Sequence, residues 1–464
     1  MCGIVGVYCS DDSLTPLYAY YSLFSLQHRG QESAGIASFR DDIRVRKGMG
    51  LVSEVIRGED LEELRGKVAV GHVRYSTTGR SSIENAQPFV VKSKVGSIAV
   101  AHNGNLVNYP QLRFQLESAG SVFTTDSDSE VIAQLLSKAL MSHDVFEALE
   151  SLVSTLVGSY SLTLLVNDKL IALRDPLGFR PLCVGEVEDG FVVASESCAI
   201  DALEGKFIRD VKPGEAVIID EDLEFVRIAE SRRRAACVFE YIYFARPDSV
   251  IDGVSVYEAR SNMGAQLARE APVDAEIVSA VPDSGITAAI GFSRESGIPY
   301  VECLIKNRYV GRTFIMPKQE LRESSVRLKV NVVKRNVIGR KVALVDDSIV
   351  RGTTSRRIVE MVRKAGAREV HFRVASPPIV APCYFGIDMK SREELIAANY
   401  AVEEIAKILG ADSLAYLSLD GLLRSLKKCG GEGFCLACLT SVYPVHVPGE
   451  SVWGEDQHQH QYQE

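Results

Sequence analysis

The apolar rhythm of this 464-residue chain changes near residue 230, and that change limits the folds open to it. Before it, short apolar or alternating runs follow closely on one another. Val68 to Thr77, Ser97 to Leu106, Ser159 to Val166, Lys169 to Asp175, Gly190 to Ser197 and Ala216 to Asp220 predict strands. A helix is predicted after Ser127-Asp128-Ser129-Glu130, where Val131, Ile132, Leu135, Leu136 and Leu140 share a face and acids open the first turn. Many strands with few helices between them predict an antiparallel α+β layer structure. The charged stretch Glu221 to Arg234 reads as a linker. Beyond it, strands over Ala275 to Ala280, Tyr300 to Ile305, Arg340 to Val345 and Glu369 to Ala375 alternate with helices over Val254 to Glu270, Gly285 to Ser296 and Thr354 to Lys364. This βαβ order predicts an α/β domain with a parallel sheet. Two domains, over 2–230 and 231–450, and a polar tail over 451–464 account for the chain.

Composition narrows the functions. Hydrophobic residues make up 46% and charged residues 24%, enough for more than one core. A net charge of −9 disfavours nucleic acid and anionic membranes as partners, so an anionic substrate needs a local basic site. The start Met1-Cys2-Gly3-Ile4 has no basic region or long apolar stretch of a secretory signal, and no run of about 18 apolar residues reads as a membrane span. The expectation is a cytoplasmic protein with reduced thiols. Ten cysteines are too few for a disulfide scaffold of this length, and their spacing is uneven.

Cys2 follows the initiator Met, whose removal would give it a free α-amine able to act as base for its own thiol. Gln27-His28-Arg29-Gly30-Gln31, Gly71-His72-Val73-Arg74-Tyr75-Ser76-Thr77, His102-Asn103-Gly104-Asn105, Ser127-Asp128-Ser129-Glu130 and Arg174-Asp175-Pro176-Leu177-Gly178-Phe179-Arg180 follow in order. With the Met-Cys-Gly-Ile start they resemble the glutaminase domain of class II glutamine amidotransferases, an N-terminal-nucleophile fold with two stacked antiparallel sheets between helices. The resemblance implies Cys2 as nucleophile and Asn103 with Gly104 as the oxyanion pair. It also implies Arg74 as the clamp on glutamine's α-carboxylate and Asp128 as the acceptor of its α-ammonium. Asp126 lies two residues from Asp128, but the Ser-Asp-Ser-Glu context favours Asp128.

In the second half, Val342-Ala343-Leu344-Val345 ends in Asp346-Asp347, followed by Ser348-Ile349-Val350-Arg351-Gly352-Thr353-Thr354 and an amphipathic helix. Acids at a strand end can bind ribose hydroxyls directly or through a divalent cation, and a small-residue loop opening a helix suits a phosphate. The segment resembles the type I phosphoribosyltransferase signature. That likeness implies Asp346 and Asp347 at the ribose and Mg2+, and Val350, Arg351, Gly352, Thr353 and Thr354 around the 5′-phosphate. Val281-Pro282-Asp283-Ser284-Gly285 resembles the pyrophosphate loop, with Ser284 at a Mg2+ position. Lys306 to Lys329 carries seven basic and two acidic residues, a local charge of +5 suited to covering a polyphosphate. Its Lys306-Asn307-Arg308-Tyr309-Val310-Gly311-Arg312, together with Tyr241-Ile242-Tyr243-Phe244-Ala245-Arg246-Pro247-Asp248, resembles the amidophosphoribosyltransferase family, and Lys306 and Tyr309 are implied at the substrate.

Cys435-Leu436-Ala437-Cys438, with Cys429 upstream and Cys237 and Cys383 elsewhere, leaves redox, zinc, iron–sulfur and plain burial open by chemistry alone. The family resemblance implies one [4Fe-4S] cluster on Cys237, Cys383, Cys435 and Cys438, with Cys429 as rival ligand. It further implies a glutamine- and phosphoribosyl pyrophosphate-using enzyme making 5-phosphoribosylamine at the first step of purine synthesis, as a homotetramer inhibited by purine nucleotides. The alternatives are another class II amidotransferase, or a non-catalytic sensor of phosphoribosyl pyrophosphate and purine nucleotides.

Overall fold

The computed structural model describes residues 1–76, 79–231, 233–308 and 329–453. The first half forms two antiparallel sheets. One has seven strands in the spatial order Lys206–Asp210, Cys183–Val187, Gly190–Ala194, Gly3–Cys9, Val68–Arg74, Ser33–Phe39 and Ile43–Met49. The other has six, in the order Leu223–Arg227, Glu215–Ile219, Lys169–Arg174, Gly158–Val166, Gly96–Leu106 and Phe89–Ser93. The sheets stack over Ile4, Val70, Ala99, Ala101, Leu165, Leu170 and Val217. Helix Leu14–Ser25 covers the outer face of the first sheet, and helices Tyr109–Ser118, Asp128–Ala139 and Val145–Thr155 cover the second. The central strands are thus buried on both faces, which is why Gly158–Val166 reads as a nearly continuous apolar run. The layers are helix, sheet, sheet, helix, the expected N-terminal-nucleophile arrangement.

Seven strands of these sheets lie outside the six expected runs, and three of them show why. Ser33–Phe39 is built of small residues, and Ile43–Met49 carries Arg44, Arg46 and Lys47 along a sheet edge, where outward charge is usual. The expected linker Glu221 to Arg234 begins inside the sheet, because Leu223–Arg227 pairs with Glu215–Ile219 as the opposite sheet's edge.

In the second half, Ile277–Ala280, Lys341–Asp346, Glu369–Val374 and Ser413–Tyr416 pair in parallel in that order. Alternation along Lys341–Asp346 sends Ala343 and Val345 into a core with helices Val256–Glu270 and Ile286–Ser296. Val342 and Leu344 enter the other, with helices Thr353–Lys364 and Val402–Leu409. The strand expected over Tyr300 to Ile305 divides. Tyr300 makes one parallel bridge to Val278, while Leu304–Lys306 pairs antiparallel with Val330–Val332. Ser451–Val452 pairs with Val442–Tyr443. Among the described residues no helix is long and apolar enough to cross a membrane.

Buried ion pairs join the halves. Arg29 donates to Glu196 at 2.5 Å and to both oxygens of Glu240 at 2.8 and 2.9 Å. Arg174 grips Asp252 at 2.7 and 2.9 Å, and Arg234 reaches the same carboxylate at 2.5 Å. Burial alone would raise the Glu196 carboxyl, but His28 and Arg29, with a hydroxyl from Ser249, hold it far below its ordinary range. Removing one partner from such a set would strand a buried charge, so these pairs fix the relative placement of the halves.

Candidate active site

Cys2 sits at the head of the central strand Gly3–Cys9, and sheet register brings its neighbours to it. Gly3 lies opposite Val73, which sets Arg74 at the same end of the sheet. Asn103 comes from the other sheet, and its Oδ1 accepts from the Cys2 backbone N–H at 3.3 Å. That bond turns the amide nitrogen of Asn103 inward, where it is buried without a hydrogen-bond partner. Next to it, Gly104 has φ +154, and a Cβ there would lie 2.0 Å from the Ser159 carbonyl oxygen. Only glycine fits at that point of the strand.

Asp128 begins helix Asp128–Ala139, whose N-cap Ser127 accepts from the Ser129 N–H. Its Oδ2 accepts from the Leu106 N–H at 2.9 Å, three residues along the strand from Asn103. Arg74 is 3% exposed and donates from Nη1 to Glu32 at 2.6 Å and to the Arg80 carbonyl at 3.0 Å. Asp126 accepts from Asn85 at 2.6 Å and from the N–H of Arg80 at 3.2 Å, the residue whose carbonyl accepts from Arg74. The structure therefore brings Cys2, Asn103, Gly104, Arg74 and Asp128 to one end of the sandwich.

The sequence patterns give no site role to Arg29 or to Ser159, which only opens an expected strand, and none to Glu32. Arg29 Nε donates to the Cys2 carbonyl at 2.9 Å, while its guanidinium holds Glu240 of the second domain. Its signal was the Gln27–Gln31 motif, where Gly30 lets the turn press on the Val73 backbone. His102 is pushed down by burial, so its ring is neutral, donating to the Ser159 carbonyl at 3.3 Å and meeting the Ser129 hydroxyl at 2.9 Å. With Met1 in place the terminal amine is buried and pushed down to about 5.

The second site lies at the carboxyl end of the parallel sheet, where open α/β sheets bind ligands. Asp346 and Asp347 are both buried, and burial plus the charge of Asp347 raises Asp346 well above the carboxylate range. The loop carrying Ser284 abuts this strand end. Val281 N–H donates to the Val345 carbonyl at 2.9 Å, and a Cβ on Gly285 would lie 2.6 Å from that same oxygen. Val350 through Gly352 leads into helix Thr353–Lys364, leaving Arg351, Thr353 and Thr354 exposed. Arg351 pairs with Glu394 at 2.6 Å. Lys306 meets Asp283 of the pyrophosphate-type loop at 2.6 Å. Tyr309 and most of the basic segment lie outside the described residues.

The late cysteines also assemble. Cys237 is the register partner of Cys435 in a short parallel pair, and the Cys438 carbonyl accepts from the Val380 and Ala381 N–H groups close to Cys383. Burial raises the Cys438 thiol well above its usual range, with further contributions from Cys383, Cys435 and Cys237. Two buried and two half-buried thiols brought together in this way are a fitting donor set for a strongly cationic group. Among the described residues no three such side chains converge at single-ion spacing. Cys429 stands apart, its thiol 3.4 Å and 3.3 Å from the Ser425 and Leu426 carbonyls of its own helix.

Comparison with known proteins follows the same division. A family model for the glutamine amidotransferase domain matches residues 72–202. The chain is 72% identical to the amidophosphoribosyltransferase of Archaeoglobus fulgidus, over 97% of this chain and 99% of that one. Identity to the amidophosphoribosyltransferase of Bacillus subtilis is 48%, over 97% and 95% of the two chains. The structure of the Bacillus subtilis glutamine phosphoribosylpyrophosphate amidotransferase complexed with ADP and GMP superposes with a TM-score of 0.89. It is 47% identical and covers 97% of this chain and 99% of that one. The chain belongs to the amidophosphoribosyltransferase family.

Proposed function

We propose that the chain converts glutamine, water and 5-phosphoribosyl 1-pyrophosphate into 5-phosphoribosylamine, glutamate and pyrophosphate, the first committed step of purine synthesis. The observation that carries this reading is the buried, unpartnered amide nitrogen of Asn103 beside Cys2. A buried donor without an acceptor is costly unless a ligand completes it, and a developing oxyanion is such an acceptor.

After loss of Met1, the freed α-amine of Cys2 takes the thiol proton as sulfur attacks the side-chain amide carbon of glutamine. Asn103 and the Gly104 N–H hold the oxyanion while Arg74 and Asp128 hold the α-carboxylate and α-ammonium. The amine returns the proton to the leaving ammonia, and water then opens the thioester to glutamate. Arg29 ties the backbone carbonyl of Cys2 to Glu240, so the head of the nucleophile's strand abuts the second domain. Ammonia passing through that joint stays out of bulk water, where it would become ammonium. At the second site it displaces pyrophosphate from C1 of the ribose, with Asp346 and Asp347 at the ribose and Val350 to Thr354 at the 5′-phosphate.

Ser284, Asp346 and Asp347 would hold Mg2+, which supplies neutralisation of the pyrophosphate charge when bound. Cys237, Cys383, Cys435 and Cys438 would hold one [4Fe-4S] cluster, whose contribution is to tie the C-terminal segment to the domain. The same reading makes the protein a cytoplasmic homotetramer inhibited by purine nucleotides.

Cys2→Ala tests the two-site scheme. Glutamine-dependent pyrophosphate release should vanish, while release with high ammonia should persist. Loss of both, or of neither, would exclude the assignment.

A further inference from the structure

The strand bearing the oxyanion donors is held from behind by the other domain. Asn105, one residue past Gly104, donates from Nδ2 to the Tyr384 carbonyl at 2.9 Å. The Ser159 hydroxyl accepts from the Asn105 N–H at 3.0 Å and donates to the Phe385 carbonyl at 2.7 Å. Arg180 also donates to the Phe385 carbonyl, from Nε at 3.1 Å and from Nη2. Phe385 stacks on Phe179 with ring centroids 4.4 Å apart. Gly386 has φ +103, and a Cβ on it would lie 3.2 Å from the Gly104 carbonyl carbon. One backbone turn of the second domain thus contacts the oxyanion glycine, the residue after it and the serine opposite.

We infer that Tyr384, Phe385 and Gly386 clamp the Asn103–Asn105 strand across the domain boundary. Asn105 and Ser159 are then positioning residues for the oxyanion donors. The Gly104 N–H can serve a tetrahedral intermediate only if its peptide plane is fixed, and a misplacement of about 1 Å costs on the order of 100-fold in rate. Ser159 restrains Gly104 from its far side. Its carbonyl leaves no room for a side chain at Gly104, and its hydroxyl ties the N–H of the following Gly104–Asn105 peptide to Phe385. The clamp acts where charge develops, so it bears on turnover of bound glutamine rather than on the affinity for it. This rests on the functional reading above.

The test compares the unmodified full-length protein with Asn105→Ala, Ser159→Ala and the double variant. Each is assayed with glutamine and separately with high ammonia, alongside thermal unfolding. The expected result is a roughly tenfold or greater fall in glutamine kcat for the double variant, with glutamine KM within about twofold and ammonia-dependent turnover retained. Equal losses with glutamine and ammonia would mean a merely structural role and overturn the inference. A raised KM at unchanged kcat would also overturn it, as would variants matching the unmodified protein. An unmodified protein without glutamine-dependent turnover would instead remove the functional reading, and this inference with it.

Discussion

Cys2, Arg74, Asn103 and Asp128 come from four separate elements and are all buried, whereas Val350 to Thr354 form one continuous loop whose Arg351, Thr353 and Thr354 lie exposed. The first site is assembled by sheet register, so its donors are fixed before substrate arrives. At the second, a buried acid pair sits beside polar groups that stay exposed. Preorganised dipoles stabilise developing charge without reorganising, which suits acyl chemistry at a thiol. An open loop suits a large polyanion that carries its own order.

The largest expected effects separate these two plans. Asn103→Ala should lower glutamine-dependent kcat by roughly 100- to 1,000-fold, since the donor is fixed and nothing else replaces it. Ammonia-dependent turnover should be unchanged. Asp346→Asn should do the opposite, cutting pyrophosphate release with either nitrogen source by on the order of 100-fold while basal glutamine hydrolysis continues. Steady-state assays of both half-reactions check the pair. If either variant loses both half-reactions equally, the sites are not separable and the contrast in their construction has no functional content.

Drawn from the second half alone but packed against the first, the cysteine pocket makes a second expectation, one of composition rather than rate. Phe385 N–H donates to the Cys383 thiol at 3.4 Å, and Cys237 N–H donates to the Phe179 carbonyl at 3.0 Å. The proposed cluster therefore lies directly behind the strand clamp. Cys383→Ser should lose most iron and acid-labile sulfide and unfold at lower temperature, because thiolate ligation is part of folding. Cys429→Ser should keep both at the unmodified level. Iron retained in Cys383→Ser and lost in Cys429→Ser would reverse the ligand assignment.

The same contrast governs what the sequence reveals. The second site is legible because Val342 to Thr354 contains strand, acids, loop and helix in one stretch. The first is scattered, and Cys2 meets Asn103 across 101 positions. No local spacing predicts that contact, and only resemblance gathered those residues. The clamp at Tyr384 to Gly386 leaves still less trace, because its acceptors are backbone carbonyls that any residue supplies. Edge strands escape for a related reason. Arg44 and Arg46 face solvent and Lys47 packs over Phe89, so Ile43–Met49 lacks an apolar run, and Leu223–Arg227 was hidden in what looked like a charged linker.

The smallest expected effect concerns the joint between the two plans. Asp210 lies beside the Arg174–Asp252 pair, and burial, followed by the charge of Asp252, raises it to about 6 despite the opposing pull of Arg174. Its folded pKa is above the unfolded value of 3.8, so the native state holds the proton more tightly. Stability therefore falls as pH rises from about 4 to 6, and the penalty is fully present above that window. A rise of that size bounds the penalty near ~3 kcal/mol. Asparagine can still accept from the Asp252 and Gly253 N–H groups without carrying the charge. Asp210→Asn should therefore unfold a few degrees higher than the unmodified protein at pH 8, with the gap closing below about pH 4. Both half-reactions should be unaffected, because Asp210 touches neither site. A gap independent of pH would show that shape rather than charge sets the cost of this carboxylate. The joint would then be limited by packing, like the buried glutamine site, and not by its ion pairs.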